Sequence, residues 1–188
     1  MPREVLIANR HPHLRLDRRA VARVIHTLDA HAASFRPSIR SAPQKRDPSP
    51  ITHRPAPATE LSVAFLTDPT LAQLHADFLA DSNPTDVITF EGDPAAGTAG
   101  EICVSADAAL RQVSGSGPIA HRPLPITSRR SDAAFSAELT LYLVHGWLHL
   151  AGYDDLQPAK KRAMRRAEAR AMKLLSSAKA LPRFSLRR

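Results

Sequence analysis

Cysteine and aromatic residues are nearly missing from this chain. Its 188 residues include one Cys, one Trp, two Tyr and six Phe, and aromatics amount to 5%. The lone thiol, Cys103, cannot close an internal disulfide. That sets aside the stapled scaffolds of small secreted domains and fits a reducing cytoplasm. With so few rings the core has to be aliphatic and Ala-rich, drawn from an ordinary apolar fraction of 43%. The chain is long enough for one domain with a real core. No apolar run approaches the ~18 residues of a membrane-spanning helix. The opening stretch MPREVLIANRHPHLRLDRR turns polar after VLIA, so it reads as lacking a signal-peptide core and cleavage site.

Acidic residues are in short supply as well. Eighteen Asp and Glu stand against 26 Lys and Arg, giving a net charge of +8 and a pI near 10.5. The imbalance is concentrated at the end: residues 156–188 carry eleven basic residues and Glu168 alone on the acidic side. Such an excess favours a polyanionic partner, RNA first. Arg162, Arg166 and Lys173 are the candidate RNA contacts. The competing reading is a solvated helical face with a loose basic tail.

What is present reads as alternating strands and helices. EVLIAN (4–9) has the look of a short buried strand. Residues 17–34 place Val21, Val24, Ile25 and Leu28 at helical spacing, with Asp17 as N-cap. ELSVAFL (60–66), TDVITFEG (85–92) and GEICVS (100–105) are three further strands. Helices are expected at 67–80, over ADAALRQV after the last of these strands, at 132–151 and from about Pro158 to about Ala178. Two proline-rich stretches, 36–58 and 114–131, read as loop insertions. These elements predict an α/β (α+β) fold, a mixed sheet of about four strands with helices packed on it. It forms one domain over 1–188 that ends in a basic helix and tail at 156–188.

The chemistry sits at HGWLHLAGYDD (145–155). Residues i and i+4 of a helix share a face, so His145 and His149 can point at one ion. Their helix is otherwise strongly apolar, and unpaired imidazoles are costly to bury there. Gly152 is placed to end the helix in a left-handed turn and bring the chain back. Asp155 then falls at a suitable distance to complete a site of two histidines and one carboxylate. That set leaves a position open on zinc, the arrangement of catalytic rather than structural sites. Alternatively Asp155, or its neighbour Asp154, only caps the helix that follows. The residue after His145 is Gly146, so the glutamate base of an HExxH peptidase is missing.

At these residues the chain resembles the YbeY family of bacterial rRNA maturation endoribonucleases. The family signature, H-G-x-L-H-L-x-G-Y-D-H, is matched at every specified position except the last. A second block, PTDVITF (84–90), is similar to the family's P-T-[DN]-V-L-S-F, and GEI (100–102) stands where the family usually has G-D-I. The resemblance implies an α/β fold with one Zn²⁺ per chain held by three side chains, His145, His149 and Asp155. It also implies single-strand RNA cleavage in maturation of the ribosomal small subunit. Three positions depart from the family. Its third histidine falls on Asp155, its helix Asn on His75, and an arginine linked to cleavage on Leu79. Leu cannot hold a phosphate, and Arg111, Arg129 or Arg130 are the candidate replacements. The resemblance therefore leaves two main readings, a zinc-dependent endoribonuclease and an RNA-binding factor whose metal is structural. A metallohydrolase acting on peptides is disfavoured by Gly146 and the basic surplus.

Overall fold

The computed structural model describes residues 2–37, 60–79, 85–115 and 129–187, apart from the side chains of Leu79, Arg129 and Arg130. Most of both proline-rich stretches lies outside the described residues. Among the described residues, six strands and five α-helices follow in order: β1 (Glu4–Asn9), β2 (Leu14–Leu16), α1 (Arg18–Ala30), β3 (Glu60–Leu66), α2 (Asp68–Leu79), β4 (Val87–Glu91), β5 (Thr98–Ser105), α3 (Ala106–Ser114), α4 (Arg129–Leu150), α5 (Pro158–Ser177) and β6 (Phe184–Leu186). Short 3-10 turns occupy Ala32–Phe35 and Pro94–Ala96.

The main sheet has the order β1-β3-β5-β4. Its first three strands are parallel, and β4 runs antiparallel to β5. This is the mixed four-stranded α+β sheet expected from the sequence. Because side chains alternate across a strand, β3 sends Leu61, Val63 and Phe65 to one face and Ala64 and Leu66 to the other. The first face carries the large core with α1, α3, α4 and α5. The second carries a small one, in which Leu71 of α2 meets Ile88 and Cys103.

Helix α4 is the centre of the large core. Leu139, Leu143, Val144, Trp147 and Leu148 are all buried, and the helix is apolar on most sides because the sheet, α3 and α5 surround it. It starts at Arg129, three residues ahead of the expected 132. Helix α5 buries only the stripe Met164, Ala167, Ala171 and Leu175, leaving its basic residues outside. No helix among the described residues is long and apolar enough to cross a membrane.

The basic tail is not loose. Residues 184–186 pair with 14–16 as a second, two-stranded sheet. Phe184 is buried against Phe65 at a ring separation of 5.5 Å. Ser136 of α4 ties it down, accepting from the Phe184 amide at 2.9 Å. Three-residue strands are too short to show a periodicity, so neither β2 nor β6 announced itself in the sequence.

Candidate metal centre

His145 and His149 occupy successive turns of α4 near its C-terminal end. The helix stops in a Schellman turn. The Tyr153 amide donates to the Leu148 carbonyl at 3.0 Å and the Gly152 amide to His149 at 2.9 Å, with Gly152 at φ 93°. This reversal brings Asp155 back toward the helix. Its carboxylate oxygens lie 4.0 Å from His145 Nε2 and 3.9 Å from His149 Nε2. All three side chains are partly buried, and their candidate donor atoms fall within 4.8 Å of one another. The sequence-derived set is thereby brought together.

The hydrogen-bond pattern decides which ring nitrogens are free. His145 Nδ1 donates to Glu168 Oε1 at 2.7 Å, and His149 Nδ1 donates to the Tyr153 carbonyl at 3.1 Å. Each ring's neutral tautomer thus presents a bare lone pair at Nε2, and the two Nε2 atoms face each other at 2.9 Å. Two lone pairs that close repel unless a cation lies between them. A metal ion satisfies that need, and so does a single proton. The residues fit a divalent metal: two imidazoles and a carboxylate converging at a partly exposed turn are a donor set suited to zinc.

The electrostatics agree. Burial acts to lower the His145 pKa, but the Glu168 hydrogen bond and charge, with Asp155 and Asp86, raise it above the ordinary histidine value. His149 is lowered, first by burial and then by the neighbouring His145, against the opposing pull of Asp155. Without metal, a proton held by the pair is therefore favoured on His145 over His149. Asp154 plays a different part. Its Oδ1 accepts from the Leu156 amide at 2.8 Å and its Oδ2 pairs with Lys160 at 2.6 Å, so its carboxyl is held below the usual range. It braces the turn.

The block at 84–90 packs directly on this helix. A Cβ on Gly146 would lie 2.5 Å from Ile102 Cγ2 and 3.3 Å from Thr89 Oγ1, so only glycine lets α4 lie this close to β4 and β5. Of the candidate arginine replacements, Arg111 is paired with Asp68 at the start of α2. The side chains of Arg129, Arg130 and Leu79 lie outside the described residues. The sequence reading missed Glu168 as a partner of the site. Its one signal was its isolation as the sole acid in an otherwise basic helix. Arg162 and Arg166 face a concavity beside the Gly152 turn, and Lys173 is not among the residues lining it.

Fold and cluster together define a class: an α+β protein with a mixed sheet and, on its central helix, a site of two histidines and one carboxylate able to hold a metal. Comparison with known proteins narrows that class. The family model described as Endoribonuclease YbeY matches residues 49–176, and the chain belongs to that family. It is 34% identical over 136 residues to a protein of Chlamydia pneumoniae named Endoribonuclease YbeY, covering 70% of this chain and 78% of that one. A relative of the same name from Rhodopirellula baltica is 37% identical over 117 residues, which cover 61% of this chain and 53%, about half, of that longer protein. A solution structure from Thermotoga maritima superposes with a TM-score of 0.50 at 17% identity, covering 94% of this chain and 92% of the other. That similarity speaks to the fold alone.

Proposed function

We propose that this chain is a zinc-dependent endoribonuclease that acts in the cytoplasm on ribosomal RNA of the small subunit during ribosome biogenesis. The observation that carries the reading is the convergence of His145 Nε2, His149 Nε2 and the Asp155 carboxylate, with both Nδ1 hydrogens directed outward. Kinship with relatives named endoribonucleases supports it. His145, His149 and Asp155 would hold the ion. Zinc bound there supplies Lewis acidity toward a phosphoryl oxygen or a water. The chain's own groups do the positioning. Glu168 fixes the ring of His145, the Tyr153 carbonyl fixes that of His149, and Arg162, Arg166 and Lys173 serve the RNA backbone. A peptidase is disfavoured, because the space beside Gly146 admits no glutamate.

A second reading, an RNA-binding factor with a structural metal, is favoured by Leu79, which stands where the family carries an arginine, and by the pairing of Arg111 with Asp68. The two separate in one experiment. Zinc-loaded protein is incubated with labelled single-stranded RNA and, in parallel, with casein. Cleavage of RNA alone, lost in His149→Ala, supports the endoribonuclease. Binding without cleavage supports the second reading, and cleavage of casein sinks both.

A further inference from the structure

Beside the metal turn lies a concavity of about 500 Å³ whose charged wall is almost entirely basic. Arg36, from the segment after α1, lines it together with Lys160, Arg162, Arg166 and Arg170 of α5 and Tyr153 of the turn. Asp154 is the one acid lining it among the described residues, and Lys160 already pairs with it. Arg36, Arg162 and Arg166 are exposed, and no ion pair with an acidic residue holds any of them among the described residues. Like charges gathered around one hollow repel each other unless an anion fills it.

The arrangement also has a regular spacing. Residues 162, 166 and 170 follow one another at i+4, so their Cα atoms form a row with steps of ~6 Å along the helix. That step approaches the separation of successive phosphates on an extended single strand. The row shares its hollow with Gly152, Tyr153 and Asp154 of the turn, and Glu168, between its second and third members in sequence, touches His145. Arg170 is held in place at two points, donating to the Tyr153 hydroxyl at 3.3 Å and lying 5.6 Å over the Phe35 ring. Tyr153 offers its carbonyl to His149 at the same time. One residue thus joins the hollow to the metal ligands.

We infer that the hollow between Arg36 and the Arg162–Arg166–Arg170 row is the track for the sugar-phosphate backbone of single-stranded RNA as it leaves the metal site. This rests on the endoribonuclease reading and adds to it a defined path. An acidic polypeptide would meet the same charges, but the regular row suits evenly spaced phosphates better.

The test measures the affinity of zinc-loaded protein for a fluorescent single-stranded oligoribonucleotide by stopped-flow anisotropy across a salt series, read within an interval that gels show to precede cleavage. The double variant Arg162→Glu/Arg166→Glu is compared with Lys161→Glu/Arg165→Glu, which changes charge equally on the same helix away from the hollow. The groove pair should lose at least ~10-fold in affinity, and its log–log salt slope should flatten by ~1.4, about 0.7 per lost phosphate contact. The control pair should change little, and Arg36→Glu should weaken binding although it lies on another element. Equal losses from the two pairs would overturn the track and leave RNA binding to a diffuse positive field. No loss from the groove pair, with the parent still binding, would place RNA elsewhere. Polyglutamate binding as tightly as RNA with the same Arg162/Arg166 dependence would make the occupant an acidic protein. Failure of the parent to bind RNA would remove the endoribonuclease reading along with the track.

Discussion

Glu168 Oε1 lies 2.7 Å from His145 Nδ1, so the only acid in the last 33 residues stands directly behind a candidate metal ligand. A carboxylate there fixes the tautomer and makes Nε2 a stronger donor. Partners of this kind typically contribute ~10–100-fold in metal affinity. Glu168→Gln keeps an acceptor but loses the charge, so zinc affinity in a chelator competition should fall by about 10-fold. Glu168→Ala should lose more. Parental affinity in both would show that Glu168 serves only to pack α5 on α4.

The two aspartates of the turn should separate cleanly. Asp155→Ala removes a donor facing both Nε2 atoms, and zinc affinity should drop by more than the ~100-fold ceiling for an outer partner. Asp154→Ala removes the bonds to the Leu156 amide and Lys160. It should lower the melting temperature of the metal-free protein and leave zinc affinity near the parental level. The reverse pattern would exchange their roles.

Phe184 tests how firmly the end of the fold is held. It is 2% exposed and packed at a tilt against Phe65, so Phe184→Ala should cost about 3–5 kcal/mol in urea unfolding. A loss under ~1 kcal/mol would mean that the β2–β6 pair contributes little. Removing residues 179–188 is therefore a poor test of RNA binding, since it takes core with it.

Cys103 gives the protein an alkaline weakness. Burial first, and then the Glu101 charge, pushes its thiol up to about 12. The unfolded chain releases that proton near ~8.5. Because the folded value is raised, the contribution is fully present below the unfolded value and is lost as pH rises toward the folded one. Between pH 9 and 10 stability should fall by about 1 kcal/mol per pH unit on this account. Cys103→Ala will be weaker at pH 7, but its stability should decline less steeply over that interval. Equal slopes in both proteins would assign the loss to other groups.

Local signals were readable in the sequence and distant pairings were not. The period-two alternation of ELSVAFL placed a strand that feeds both cores. The i,i+4 histidines and Gly152 placed the turn, because all of this is decided within a dozen residues. Strand order and the direction of β4 depend on pairings between remote segments, which one sequence does not display. Glu168 reaches His145 only because α5 packs on α4, a contact spanning 23 positions. The tail failed for a similar reason: its partner, 14–16, lies at the far end of the chain.

Gly146 closes one path of change to this protein. An HExxH peptidase differs from the present motif at that position, and on paper a single substitution would supply its glutamate. In the fold the glycine is pressed against Ile102 and Thr89, where even a methyl group would strike the sheet. Gly146→Ala should cost about 1–3 kcal/mol by overpacking, and Gly146→Glu should fail to yield soluble protein. A soluble, zinc-binding Gly146→Glu protein would show that the helix can lift at small cost. Otherwise descent from this helix to a peptidase cannot proceed one residue at a time. The helix would first have to move off its sheet, through ancestors that had lost the packing on which they stood.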